Sequence, residues 1–202
     1  MENQEYSVVI ASIGRPCLHT ILEDILCSSK LPHEVIIVLP HSSDFVLRMQ
    51  HKDCGVNISL LYAAKGQVKQ RQVGLSNCTC KIIIQLDDDM RFDDALLECL
   101  VYEVLKNPSI IVSPVIYDHN LDCKTGIEVG QSKFLRFLCV VDKDKELLGV
   151  GHISKIGLAV RPSSLKGKDL VCSDWLPGGC MAYHKKFSTA DSEILSPEGK
   201  FY

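Results

Sequence analysis

The sequence predicts an α/β fold: a single domain with a mostly parallel central sheet and helices on both faces. Three features point to it. Uninterrupted apolar runs rich in Val and Ile recur at residues 6–12, 34–39 and 82–86, a composition suited to strands buried on both faces. Segments with helical apolar spacing stand between them, so strand and helix alternate as in a covered parallel sheet. The chain has 202 residues, 46% of them hydrophobic, which is enough for one substantial core.

Residues 6–12 form the first strand, and Ile13, Gly14, Arg15 and Pro16 break it. Pro16 opens a helix over 16–28, at a position where its missing N–H costs nothing. Leu18, Ile21, Leu22, Ile25 and Leu26 share one face of that helix. Residues 34–39 are the second strand, 40–44 a loop, and 45–50 carry a weaker helical pattern. Residues 56–63 alternate in character and read as a third strand. A short polar helix over 66–76 carries Lys69 and Arg71, and the fourth strand follows at 82–86. Residues 93–106 show the clearest helix, with Leu96, Leu97, Leu100, Val101 and Val104 on one face and Asn107-Pro108 as its stop. Residues 109–117 read as a fifth strand. Beyond 118 the pattern weakens: loop formers over 120–131, strand or helix over 134–141, a charged turn at 142–146, a short strand at 155–160 and a loop at 161–168. A last apolar strand covers 181–183. No repeat or linker divides residues 1–202, so one domain is expected.

The formal net charge of −3 supplies no basic field for nucleic acid. No apolar run approaches the roughly 20 residues that span a bilayer. The first residues are acidic and polar, unlike a secretory leader. Ten cysteines occur without a Cys-x-x-Cys pair. Cys78 and Cys80 are too close in sequence for an easy disulfide. Cys27, Cys99 and Cys139 lie in apolar stretches where a thiol acts as a small hydrophobe. Reduced, structural cysteines are therefore expected. His41, His152 and His184 show no ligand spacing, and no Gly-x-Gly-x-x-Gly follows the first strand to hold a dinucleotide.

The chemistry concentrates where the fourth strand ends, at Asp87, Asp88 and Asp89. Three successive carboxylates cannot all be buried unpaired, because desolvating one ion costs several kcal/mol. They are expected to face water or a cation at the carboxyl end of a buried strand, where an open α/β sheet binds its ligand. A hard divalent cation such as Mg2+ or Mn2+, shared with substrate phosphates, explains their number. The alternative is a solvated turn in which Asp93 caps the next helix. The second motif is Trp175-Leu-Pro-Gly178-Gly179-Cys-Met-Ala-Tyr183. Paired glycines admit a bulky ligand close to the backbone, and an aromatic ring stacks on a sugar face. A tight turn beside a core tryptophan is the alternative there.

Four segments in order carry a resemblance: Ser7-Val-Val-Ile-Ala-Ser12-Ile-Gly14-Arg15-Pro16, Gly66-Gln-Val-Lys-Gln-Arg71-Gln-Val-Gly74, Ile84-Gln-Leu-Asp87-Asp88-Asp89, and the Trp175 motif. Together they resemble the inverting family 2 glycosyltransferases of the GT-A fold, a Rossmann-like nucleotide-diphospho-sugar transferase domain. The resemblance implies a nucleotide-sugar-binding half over residues 1–118 and an acceptor-side half over 119–202. It implies that Ser12, Gly14 and Arg15 contact the nucleotide, and that Arg71, matching the arginine of an Ala-Arg-Asn pattern, holds the same side. Asp87 contacts ribose or sugar and shares the metal, Asp89 coordinates it, and Asp88 shares either role. Trp175, Gly178 and Gly179 line the sugar and acceptor pocket. Implied partners are a nucleotide-diphosphate sugar and a saccharide or lipid-linked saccharide acceptor. The implied setting is polysaccharide or glycoconjugate synthesis in the cytoplasm or peripherally on a membrane's cytoplasmic face.

Two departures from the family stand out. Its members carry an acid just after the second strand, where this chain has Leu39, Pro40 and, further on, Asp44. Its catalytic base lies downstream of the Gly-Gly pair, and here Asp174, Asp191, Glu193 and Glu198 are the nearby acids, none with the family's neighbours. Asp191 and Glu193 are the candidates for the base. A nucleotide-sugar-binding protein without turnover is the competing reading. A nucleotidyltransferase is a third, and it calls for a more basic, glycine-rich loop than residues 12–16 provide.

Overall fold

The computed structural model describes residues 5–47, 55–114, 117–118, 123–124, 173, 176 and 178–189. The chain divides into two units: Met1–Pro114 with Gly178–Tyr202, and Val115–Pro177. In the first, β1 (Tyr6–Ala11), α1 (Cys17–Leu26), β2 (Glu34–Pro40), β3 (Asn57–Ala63), α2 (Gln67–Asn77), β4 (Ile82–Asp87), α3 (Leu96–Lys106) and β5 (Ile111–Val112) follow one another. In the second, β6 (Tyr117–Asp118) pairs antiparallel with β7 (Cys123–Lys124). The chain re-enters the first unit at β8 (Cys180–His184) and the short α4 (Lys186–Thr189).

The main sheet has the order β3-β2-β1-β4-β8-β5. β3, β2, β1 and β4 run parallel, and the predicted, mostly parallel α/β architecture is what the structure shows. β8 lies antiparallel between β4 and β5, pairing Leu86 with Cys180 and Ile82 with His184. Every residue of β1 and β2 is buried, which is why their runs are apolar on both faces. Val8, Ile10, Val35, Ile37, Ile84 and Leu86 point to one face and pack against Leu18, Ile21, Leu97 and Val101 of α1 and α3. Val9, Ile36, Val38 and Ile83 point to the other, with Val73 and Leu75 of α2 packed there. Helices thus cover both faces.

Several elements differ from their sequence reading. Residues 45–47 are loop, and 48–50 lie outside the described residues. The fifth strand shrinks to Ile111–Val112, because Pro114 has no N–H for a ladder, and Tyr117–Asp118 pairs in the second unit. α3 starts at Leu96 with no side-chain cap, so Asp93 does not cap it. Cys27 and Cys99 are exposed. Cys27 lies beyond the buried face of α1, and Cys99 lies on the outer side of α3, whose buried face is Leu97, Leu100, Val101 and Val104. The free thiols of Cys78, Cys80 and Cys180 are buried as expected. The readings made for residues 120–122, 125–131, 134–141, 142–146, 155–160 and 161–168, and for Cys139 and His152, fall outside the described residues.

Candidate functional site

Because β1, β2 and β4 run parallel, their carboxyl ends share one edge of the sheet. The register pairs Ala11 with both Val38 and Asp87 there. β8 runs the other way, so its amino-terminal end reaches the same edge. The Asp87 amide donates to the carbonyl of Gly179 at 2.8 Å, which places the Gly178-Gly179 turn beside the acids.

The three carboxylates have different surroundings. Asp88 is buried, 3% exposed, and both its oxygens are engaged. It accepts from the Ser12 hydroxyl and from Arg15 Nη2, with a longer contact from Arg15 Nε at 3.3 Å. The sequence places all three acids toward water or a cation; Asp88 instead turns inward, because Arg15 and Ser12 compensate its desolvation. Asp89 is half-exposed and takes Arg15 Nη2 on Oδ2 at 3.1 Å. The hydrogen bond to Asp88 holds the Arg15 guanidinium above its ordinary pKa, against desolvation, and the charges of Asp88 and Asp89 add to it. Asp87 takes Arg71 Nη2 at 2.6 Å and Gln67 Nε2 at 2.9 Å on the same Oδ1. Arg71 also donates to the Gly178 carbonyl at 3.0 Å, joining the acid turn to the Gly-Gly turn.

The loop after β1 is held by backbone geometry. Gly14 sits at φ +86°, in the left-handed region, and a Cβ there would meet Ser43 Oγ at 2.7 Å and Phe45 Cβ at 3.0 Å. Only glycine lets the loops after β1 and β2 meet this closely. Asp44 is exposed on the second loop. Cys17 opens α1 beside the acids, and burial, then the charge of Asp88, pushes its thiol up; it is not a reactive thiolate. Burial also pushes Cys180 up to about 12, aided by the charge of Asp87, so it stays a neutral thiol.

A family model described as glycosyl transferase family 2 matches residues 7–165, a stretch that runs from the second residue of β1 through β7 and includes Asp87, Asp88 and Asp89. The chain belongs to that family. No curated protein matches it. Among solved structures, this family 2 chain is similar to the 4-diphosphocytidyl-2C-methyl-D-erythritol synthase from Anaerococcus prevotii DSM 20548. The TM-score is 0.53 at 14% identity, over 92% of this chain and 72% of that one. It is also similar to the mannosyltransferase PcManGT from Pyrobaculum calidifontis, in complex with GDP-Man and Mn2+. That match has a TM-score of 0.49 at 19% identity, over 56% of this chain and 36% of that one. A third is S. aureus TarS 1-349 in complex with UDP-GlcNAc, with a TM-score of 0.44 at 17% identity, over 65% and 42%. The chain spans less than half the length of the last two. At these identities the first likeness speaks to fold alone.

The structure therefore brings Ser12, Gly14, Arg15, Arg71, Asp87, Asp88, Asp89, Gly178 and Gly179 to one edge. Trp175, Asp191 and Glu193 lie outside the described residues. Sequence reasoning missed Gln67 and Gln70 as parts of the site. Gln67 stands four residues before Arg71 on the helix, a spacing that shares a face and was the available signal for it; Gln70, next to Arg71 in sequence, carried none. Among the described residues, no group of three His, Cys, Asp or Glu side chains is arranged to hold a metal by itself. Asp87 and Asp89 nonetheless each keep one carboxylate oxygen without a described hydrogen bond. Two hard oxygen donors, completed by phosphate and water, suit Mg2+ or Mn2+.

Proposed function

We propose that this family 2 chain transfers a sugar, with inversion, from a nucleotide-diphosphate donor to a hydroxyl acceptor, and that the transfer depends on a divalent metal. The observation that carries the proposal is the Asp87-Asp88-Asp89 turn at the carboxyl edge of the sheet, flanked by Arg15, Arg71 and the Gly178-Gly179 turn. In this reading Ser12, Gly14 and Arg15 border the nucleotide. Arg15 and Arg71 exchange their carboxylate partners for phosphate oxygens, which a guanidinium binds in the same forked geometry. Asp87 and Asp89 would hold Mg2+ or Mn2+, which supplies charge neutralisation for the departing diphosphate. Asp87 also borders the ribose or sugar, and Gly178 and Gly179 leave room for it, with Trp175 assigned beside them.

In the transfer, the acceptor oxygen bonds to the anomeric carbon from the face opposite the diphosphate. The bond from that carbon to the phosphate oxygen breaks, and the diphosphate leaves with its electron pair. The acceptor proton passes to a carboxylate, and Asp191 and Glu193 are the acids assigned to this role. The acceptor proposed is a saccharide or a lipid-linked saccharide, in polysaccharide or glycoconjugate synthesis. The proposed location is the cytoplasm, peripheral to a membrane where the acceptor is lipid-linked. No helix among the described residues is long and apolar enough to cross a membrane.

The test is calorimetric titration of UDP, GDP and dTDP with and without Mn2+, alongside hydrolysis of the matching sugar nucleotides. Metal-dependent binding by the wild type, lost in Asp89→Ala, is expected. Binding that ignores Mn2+, or survives in Asp89→Ala unchanged, sinks the metal role. Binding without hydrolysis or transfer supports the competing reading, a donor-binding protein without turnover.

A further inference from the structure

Gln70 is one of the buried polar groups among the described residues that the proposed reaction does not use, and it lies beside the site. It is 2% exposed, on a helix that carries little apolar surface. A buried amide side chain without partners is costly, and this one has three. Its Nε2 donates to the carbonyls of Ser12 and Val38, each at 2.7 Å, and its Oε1 accepts from the Gly66 amide at 3.3 Å. The first carbonyl lies just past the end of β1, and the second lies in the last half of β2. Gly66 is the residue before α2, at φ +143°.

The helix can sit this close because of Gly74, one turn further on the same face. A Cβ at Gly74 would lie 2.5 Å from Val9 Cγ1 and 3.2 Å from Val38 Cγ2. With that close approach, Gln67, Gln70 and Arg71 reach the sheet edge together. Gln67 and Arg71 take Asp87, and Gln70 takes the backbone of Ser12. Ser12 is fully committed: its amide donates to Val38 at 3.1 Å, its hydroxyl donates to Asp88, and that hydroxyl accepts from the Gly14 amide at 2.9 Å. The path runs from Gln70 through Ser12 to Asp88, and from Asp88 to Arg15.

We infer that Gln70 is a positioning residue for the donor site, locking the loop after β1 so that Ser12 and Asp88 hold Arg15 in place beside Asp89. The inference rests on the donor-binding reading above for its functional consequence, and on the hydrogen bonds alone for the locking.

The test uses the full chain and two variants. Gln70→Met keeps length and volume but cannot donate. Gln70→Glu keeps the shape and sets a negative charge against two carbonyls. The first measurement is amide hydrogen exchange in the free protein. For Gln70→Met, exchange at residues 12–15 should rise at least tenfold, while the centres of β1 and β4 exchange as in the wild type. The second is the affinity for whichever of UDP, GDP and dTDP binds the wild type with Mn2+, which should fall about tenfold or more. Gln70→Glu should show both effects more strongly. Unchanged exchange at 12–15 overturns the locking. Raised exchange with unchanged affinity overturns its role in donor binding. A uniform rise across the sheet marks Gln70 as merely structural and also overturns the proposal. If the wild type binds no nucleotide, the proposed function falls, and the exchange data still decide whether Gln70 locks the loop.

Discussion

At the scale of single residues, Asp88 and Asp89 are neighbours with opposite duties. Asp88 is buried and satisfies a serine hydroxyl and a guanidinium, whereas Asp89 is 56% exposed and shares only one oxygen with Arg15. Asp88→Ala removes the acceptor for two donors and leaves the Arg15 guanidinium with Asp89 as its one remaining carboxylate partner among the described residues. Since Arg15 can turn to water, the expected loss is about 1–3 kcal/mol rather than the full penalty of a buried ion. Asp89→Ala should change stability by no more than about 0.5 kcal/mol, because an exposed ion pair contributes little. Urea unfolding of both variants, set beside their nucleotide affinities with Mn2+, separates the two. Equal destabilisation of both would contradict the division of labour. The sequence shows that three acids cluster where a buried strand ends, and it cannot show which one turns inward. That depends on Arg15 reaching across from the first strand, a contact between residues more than seventy positions apart. Gln70 was illegible for the same reason: its partners are backbone carbonyls, which carry no residue-type signal.

At the scale of elements, the strands were legible because β-branched runs buried on both faces have few other uses. Strand order was not, since local runs do not encode their neighbours. β8 looks like one more apolar strand, and only its pairing shows that it is inserted against the direction of β4. That reversal is what carries Gly178 and Gly179 to the acid edge. The seating of α2 depends on a single atom's absence. Gly74→Ala adds a methyl group 2.5 Å from a Val9 methyl, and Val9 is 1% exposed in the middle of the sheet. Helix propensity favours alanine by about 1 kcal/mol. Overpacking costs about 1–3 kcal/mol and cannot relax into a rigid strand, so a net loss of stability is expected. Val9→Ala in the same chain removes the clashing atom, and the double variant should be more stable than the sum of the single losses predicts. Strict additivity, read from urea midpoints, would mean that the helix finds another seat.

At the scale of the whole molecule, the two edges of the sheet do different work. The carboxyl edge gathers the site, and the amino edge holds a buried polar cluster around Glu34. Its Oε1 accepts from the Ser7 hydroxyl at 2.5 Å, the Thr79 amide at 2.7 Å and the Thr79 hydroxyl at 2.8 Å. The Cys80 amide in turn donates to Ser7 Oγ at 3.2 Å, so one carboxylate ties the starts of β1 and β2 to the approach of β4. Burial pushes the Glu34 carboxyl up, but these hydrogen bonds to its charged form outweigh it and leave the pKa below the ordinary glutamate value. A carboxyl depressed in the folded state stabilises the fold fully above its unfolded pKa of about 4.3, and the contribution disappears as pH falls through the folded value. Glu34→Gln keeps an acceptor but loses the charge that strengthens three donors, and should cost about 1–2 kcal/mol at neutral pH. The pH dependence distinguishes this from a simple packing defect. Unfolding free energies of the two proteins should differ by a constant amount from pH 7 to about 5, then converge as the medium acidifies below the ordinary glutamate range. A gap that stays constant down to pH 3 would show that the carboxylate's charge contributes nothing, and that the cluster holds the amino edge by shape alone.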